Sequence, residues 1–511
     1  MAMKKRLLLL LLAAGSLSLT GCNFFTIIGS STESYSETPW SGEKQKLTYT
    51  QTNLTPVHYQ DVDTMPTTGK PKLLVLPILF RDSSDFLNNE EKEAVLTNVD
   101  KMAFGTSEDT GWHSISTYYR EESHGACEIE GEVAPWYTTS YGYDQITSTK
   151  VVDIIISSAV KTWKEANPEK VKEYDTDGNG FLDGVLAIYG GPNYTNKAKL
   201  NGHRPNENMW AFTSWLDTSA NTNNPSPKTY IWASYDFMEN DNSHDLLIDG
   251  HTYIHEMGHV FGLDDYYDYA KKGLWAGAFS MQDYNVGGHD PYSMLALGWA
   301  DPYVPTSSAT ITIKPFESSG DMILLSPDFS SNSAFDEYIL LEYYSPTGVN
   351  ERDSKYQYEG TYPLGPNERG IRIWHVDARL LKIVTKRDSR TGREKDVYTI
   401  TNTIDPSEGS YIVGCTNTTK TGGDSDSYIS IAAELQNYKL LQLIRKGDYS
   451  ASKTDDALSN NYLFKSNETF SLSQYSGYFR NTTRLNNGSR FNWSVTVNSI
   501  SRDEATITVK I

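Results

Sequence analysis

The chain has 511 residues, room for two or three domains, and carries 65 acidic against 45 basic side chains for a formal net charge of -20. That balance argues against nucleic acid as a partner, since no basic surplus exists to neutralise phosphates. The only cysteines are Cys22, Cys127 and Cys415. A disulfide-built fold is therefore excluded, and Cys127 and Cys415 are expected as two separate buried thiols, with a pair as the alternative.

Residues 1–22 open with Met-Ala-Met-Lys-Lys-Arg, followed by six leucines from Leu7 to Leu12 and then Ser18-Leu19-Thr20-Gly21-Cys22. A basic start, a short apolar run and small residues before a cysteine mark a secretory signal too short to span a bilayer. Leu19-Thr20-Gly21-Cys22 resembles a bacterial lipobox, which implies cleavage before Cys22 and lipid on its thiol, the alternative being an ordinary signal peptide. Lipid there would hold the chain to the outer face of a membrane, at the cell surface, with no spanning helix downstream. Residues 23–69, rich in Ser, Thr, Tyr and Gln, read as a tether followed by a poorly ordered lead-in.

The globular part opens at Lys72–Asp82, an apolar run long enough for one buried strand, with Pro77 placing it at an edge or a bulge. Helical spacing is expected at 89–104, 112–120 and 151–166, and a strand at 128–135. Asp175-Thr176-Asp177-Gly178-Asn179-Gly180-Phe181-Leu182-Asp183 follows. Oxygen side chains at its first, third, fifth and ninth places match the opening of a calcium loop, in which Phe181 would offer its backbone carbonyl. Leu186 stands where an EF-hand has its closing Glu, so a structural Ca2+ on Asp175, Asp177, Asn179, Phe181 and Asp183 competes with a plain Asx/Gly turn. Val185–Tyr189 is expected as a buried strand. Asn208–Trp215 and Ile231–Tyr235 are expected as strands walling a cleft.

His251–Asp268 carries the strongest signal, with His255, Glu256 and His259 as H-E-x-x-H, extended by Gly262 and Asp265. Residues four apart on a helix lie one above the other, so His255 and His259 can offer two imidazole nitrogens to one ion. Glu256 then falls beside the metal, where a carboxylate can take up a proton from a water and pass it on. Gly262 tolerates the turned backbone that would bring Asp265 round as third ligand, leaving the fourth position open as a catalytic zinc requires. Asp264 is the rival third ligand. His251 reads as a supporting or surface histidine, and Asp268 as a solvated or supporting acid. Further on, Met281 is placed to form an apolar floor under a zinc ion, against the alternative of an ordinary core methionine. Tyr284 reads equally as a donor to a developing oxyanion and as a structural tyrosine.

Beyond Pro302 short strands with turns are expected at 309–313, 322–325, 337–343, 370–376, 428–435, 439–444, 492–497 and 505–511, which argues a β-sandwich or jelly-roll. The stretches 345–369, 385–395 and 416–427 read as polar insertions, with Lys386–Arg393 a candidate nicking loop. His375 reads as a packed interface residue.

These motifs together resemble the immune inhibitor A-type family of secreted bacterial zinc metallopeptidases, relatives of the metzincins. The matching stretches are Lys72–Asp82, Tyr118–Tyr137, Asp175–Gly191, Asn208–Trp215, His251–Asp268, Ser280–Met281 with Pro291–Trp299, Glu337–Tyr343, Gly370–Asp377, and Tyr438–Asp448 with Asn461–Phe470. The resemblance implies Zn2+ on His255, His259 and Asp265, Glu256 as base, Met281 in the turn beneath the metal, and structural calcium. Members of that family often carry a longer pro-region and are usually not lipid-anchored. The expected architecture is thus an α/β zincin-type metallopeptidase domain at 70–302, followed by an all-β (sandwich or jelly-roll-like) C-terminal domain at 303–511. Its expected partners are extracellular protein or glycoprotein substrates, with a membrane touched through the N-terminal lipid only. The competing class is a cell-surface binding or adhesion lipoprotein whose zinc is structural.

Overall fold

A computed structural model describes residues 39–51, 63–204, 206–239, 246–269, 273–358, 362–387, 389–401, 404–405, 410–418, 435, 438–447 and 459–511. Cys22, the signal segment, the 428–434 strand and most of 416–427 lie outside the described residues. Thr38 to Ile511 forms one compact unit.

The first half is built on a six-stranded mixed sheet. Its strands are β1 (Lys72–Leu79), β2 (Glu130–Val133), β3 (Tyr137–Thr138), β4 (Gly184–Tyr189), β5 (Phe212–Trp215) and β6 (Thr229–Ser234). The order is β2-β1-β4-β6-β5, with β3 also on β1. All pairs are parallel except β5 on β6, so β5 is an antiparallel outer strand. β1 is interior, which corrects the edge placement that Pro77 suggested. Pro77 pairs with Ile188 on one side. On the other it stands opposite the gap where β2 ends at Val75 and β3 begins at Ile78, so its missing N–H is not needed there.

Helices α1 (Asn89–Phe104), α2 (Ser107–Thr110), α3 (Ile115–Glu122) and α4 (Thr149–Ala166) cover the sheet. In α1 Asn88 and Glu91 form a reciprocal capping box, satisfying two N–H groups that the helix start leaves bare. α4 buries Val152, Ile155, Ile156, Ala159, Val160 and Trp163 on one stripe against Leu74, Leu76 and Trp232 of the sheet. On the opposite face lie α5 (His251–Val260) and α6 (Pro291–Ala296), whose apolar side chains share a core with Leu73, Val75, Leu186 and Ile231.

After Pro302 the sheets are purely antiparallel. β14-β10-β9-β8 joins Leu441–Leu443, Gly370–Asp377, Glu337–Tyr344 and Met322–Leu325. β15-β16-β17-β7 joins Thr469–Ser471, Ser494–Ile500, Ala505–Lys510 and Ala309–Ile313. The two share a core of Ile339, Leu341, Ile371 and Ile373 against Ile311, Val495, Ile507 and Val509. Yet β9 and β10 are buried at every position. Their other face, with Leu340, Trp374 and Val376, enters the same core as α5 and α6. These strands are therefore buried on both faces, and the charged Glu337, Glu342, Arg372, His375 and Asp377 among them are buried too.

A third sheet places β11 (Leu380–Arg387) between β12 (Glu394–Thr401) and β13 (Ser410–Val413). Most of 385–395, expected as loop, is thus a hairpin continuing to Arg387 opposite Glu394. The lead-in also differs from expectation, because its described parts are held by the body. Trp40 donates its N–H to Thr310, Thr48 to Asn332 and Met65 to Val260, while Leu47 and Met65 are buried. Cys127 and Cys415 are separate buried thiols.

Candidate metal centre

Helix α5 buries Tyr253, Ile254, Met257 and Val260, which fixes its rotation and turns His255 and His259 together toward a cavity. The helix ends in a reciprocal pair of bonds, Leu263 N–H to Gly258 O at 3.0 Å and Gly262 N–H to His259 O at 2.9 Å, around Gly262 at φ +96°. This left-handed exit needs glycine and sends the chain back over the helix end. Asp265 consequently arrives with Oδ1 3.1 Å from His255 Nε2 and 3.3 Å from His259 Nε2. Among the described residues this is the only group of three or more His, Cys, Asp or Glu side chains whose ligand atoms all fall within 4.8 Å of one another.

The ring nitrogens facing away are committed. His255 Nδ1 lies 2.8 Å from Met281 O and His259 Nδ1 2.9 Å from Leu263 O. Backbone carbonyls there hold the Nδ1–H tautomer and leave both Nε2 lone pairs for a cation. Met281 is fully buried and supports His255 through its carbonyl. Close beneath, Gln282 packs on Gly258, where a Cβ would stand 2.2 Å from Gln282 Oε1. A side chain at Gly258 would displace Gln282, whose Nε2 donates to His255 O at 3.2 Å.

The donor set fits a tetrahedral ion. Bonds of about 2.0–2.1 Å at tetrahedral angles put ligand atoms about 3.3 Å apart, close to the 3.1 and 3.3 Å found. Burial works against charge on His259, but the Asp265 carboxylate overrides it and pushes the imidazole up to about 10. Burial likewise opposes charge on Asp265, and the two imidazoles still hold its carboxyl well below the usual range. Asp265 Oδ2 accepts from Tyr269 O–H at 2.5 Å.

The rivals are placed elsewhere. Asp264 Oδ2 accepts from Thr416 Oγ1 at 2.6 Å and its Oδ1 from Asp265 N–H at 3.0 Å, so it is turned from the rings. His251 is buried, with Nε2 3.1 Å from Asn285 O, and burial pulls it down to about 3, leaving a neutral ring in the wall. Asp268 is buried, which removes the solvated alternative of its two readings. Tyr284 is half-buried at the cavity, between Tyr267 and Tyr362 with ring centroids 5.1 and 5.7 Å away.

Glu256, 7 % exposed, faces the same cavity of about 510 Å³. Its walls are Trp210 and the following β5 with Phe212 and Trp215, the Tyr267–Tyr269 turn, and Tyr362 from the segment after β9. Trp210, Trp215 and Tyr269 keep 42, 40 and 46 % of their surface exposed, an apolar rim on a largely polar molecule. Sequence reasoning missed Tyr269, Tyr362 and Thr213, whose hydroxyl reaches Glu256. Of these only Tyr269 had a local signal, four residues past Asp265.

The Asp175–Asp183 loop is spent largely on itself. Asp175 Oδ2 accepts from Gly180 N–H, Asp177 Oδ1 from Asn179 N–H, Asn179 Oδ1 from Phe181 N–H, and Asp183 from Thr176 and Lys72. Asp175 Oδ1 is buried without a partner. Asp63, unforeseen from the sequence, joins through Asn179 Nδ2 at 3.0 Å. Burial, then the charges of Asp177 and Asp183, push it up to about 7.

No protein-family model and no curated protein matches the chain.

Proposed function

We propose that this chain is a zinc-dependent endopeptidase of zincin type that cleaves extracellular proteins from a cell surface, where lipid on Cys22 anchors it. The observation that carries this reading is the ligand triangle of His255, His259 and Asp265 with Glu256 beside it in one aromatic-walled cavity. A zinc ion held by these three side chains would supply Lewis-acid polarisation of a carbonyl and of a water at its open position.

The chain's own residues do the rest. Glu256 takes a proton from the attacking water and delivers it to the departing amine. His255 and His259 keep their lone pairs aimed inward because Met281 and Leu263 hold the opposite nitrogens. β5, the outer strand beside the cavity, has a backbone edge that an extended peptide can pair with, so that side chains rather than chain ends determine binding. Tyr284 is offered as a donor to the developing oxyanion. A purely structural ion would have no use for a carboxylate at the lip of an open cavity, which favours catalysis over adhesion.

The orphaned Asp175 Oδ1 and the crowding of Asp63 with Asp177 and Asp183 support a Ca2+ ion at the second loop. Calorimetry after chelation should give calcium-dependent heat, and its absence removes that ion. Casein digestion tests the main reading. Wild type should cut and Glu256→Ala should not, whereas equal activity in both, or none in either, favours the binding class.

A further inference from the structure

The geometry points to Thr213 as the positioning residue that fixes which oxygen of Glu256 handles the proton, an inference resting on the peptidase reading above. Thr213 lies in β5, paired with Ile231 of β6, whereas Glu256 lies in α5. The Thr213 hydroxyl is 2.8 Å from Glu256 Oε2 and 3.1 Å from the Glu256 backbone oxygen. It has one proton for two acceptors, and the charged oxygen is the stronger of them. The backbone oxygen then serves to locate the hydroxyl, and Oε2 receives the bond.

The two carboxylate oxygens of Glu256 become unequal as a result. Oε2 is occupied, while Oε1 has no hydrogen bond to any described residue and remains for proton transfer. Without the hydroxyl, rotation about the last side-chain bond would exchange the two oxygens and swing the group out of line. With it, the carboxylate is held by two elements that the fold already locks together, since α5 packs on β5 and β6. Proton balance is simple: the proton leaves the attacking water for Oε1 and goes from there to the amine, and the Thr213 proton stays on its oxygen.

A threonine that merely tied β5 to α5 would affect folding or substrate binding, and not turnover. Thr213→Val keeps the branched shape that suits a strand and removes only the donor. Misaligning a catalytic group by about 1 Å costs on the order of 10- to 100-fold in rate. With a casein peptide that the wild type cleaves, kcat should fall by about that factor while KM stays within about twofold, and Thr213→Ser should restore most of kcat. Wild-type kcat in Thr213→Val, or a change confined to KM, overturns the inference. A second readout needs neither metal nor activity. In crystals of metal-free Thr213→Val the Glu256 carboxylate should be turned from its wild-type orientation or split between two, and an unmoved carboxylate overturns the inference. An inactive wild type would sink the peptidase reading, and the crystallographic comparison would still decide the role of Thr213.

Discussion

Two clusters in this molecule pair histidine with carboxylate, and they are built to opposite ends. In β9 and β10, His375 Nε2 lies 2.9 Å from Glu337 Oε1 and Nδ1 lies 3.1 Å from Gln442 Oε1. Glu337 also accepts from the backbone of Asn486 and Asn487, and Arg379 grips Asp377 at 2.7 and 2.8 Å. His375 and Glu337 are wholly buried, each ring nitrogen has a protein partner, and neither residue lines the cavity at His255. At His255, His259 and Asp265 the outward nitrogens are tied to backbone, the inward ones point at a shared point, and that point faces a cavity. The same residue types make a strut in one place and a candidate metal centre in the other. What separates them is whether the lone pairs are already spent.

The sharpest way to break this comparison is at Glu256. Glu256→Gln should lower casein hydrolysis by about 10²- to 10⁴-fold, the usual weight of a general base, while metal content stays at the wild-type level. Undiminished hydrolysis would remove the distinction between the two clusters. The mirror experiment is His375→Ala, which leaves the Glu337 charge buried and short of a partner. Urea unfolding should show a loss of about 3–5 kcal/mol, with metal per folded chain unchanged. A metal loss there would mean that the strut is part of the centre.

A buried acid with half its capacity spent lies between the extremes. Asp353 takes Asn285 Nδ2 at 2.8 Å on Oδ2, has no partner for Oδ1, and is pushed up to about 7 by burial. Its folded value lies above its unfolded one, so the native state holds a proton that the unfolded chain releases. This contribution to stability is complete below about pH 4 and is lost as pH rises through about 7. Glu122, pushed up to about 8 by burial, acts in the same direction. Asp353→Asn should therefore gain Tm over wild type at pH 8 by up to about 4 kcal/mol in equivalent stability, and the gain should vanish at pH 4. A pH-independent difference would mean that Asp353 is ionised throughout. The smallest expected effect is that of Tyr269→Phe, which frees Asp265 Oδ2. Competition with a chromophoric chelator should show zinc held about fivefold less tightly, about 1 kcal/mol, and unchanged affinity would make Tyr269 a wall residue only.

The parts of this arrangement that a reader of the sequence could find are those held within one short stretch. His255, Glu256 and His259 share a helix face, and Gly262 carries the turn to Asp265, so spacing alone placed four groups. Strands such as Gly184–Tyr189 and helices such as Thr149–Ala166 followed from apolar period. The strand at Asn208–Trp215 was legible as a cleft wall, but not that Thr213 on it would meet Glu256, and Tyr362 was illegible because it reaches the cavity from far along the chain with no period or motif. Pro77 misled because its strand is interior while its own position faces a break between two neighbours. β9 and β10 are buried on both faces because one sheet face covers α5 and α6 instead of facing water, and local sequence does not say what a strand will be packed against.

The most direct test of the central claim is a crystal structure of zinc-reconstituted protein with anomalous data collected on both sides of the zinc edge. One peak bonded to His255 Nε2, His259 Nε2 and Asp265, at about 2.0–2.2 Å and open toward the cavity, is the predicted result. No peak there, or a zinc held at another set of residues while His259 and Asp265 remain an ion pair, would contradict it.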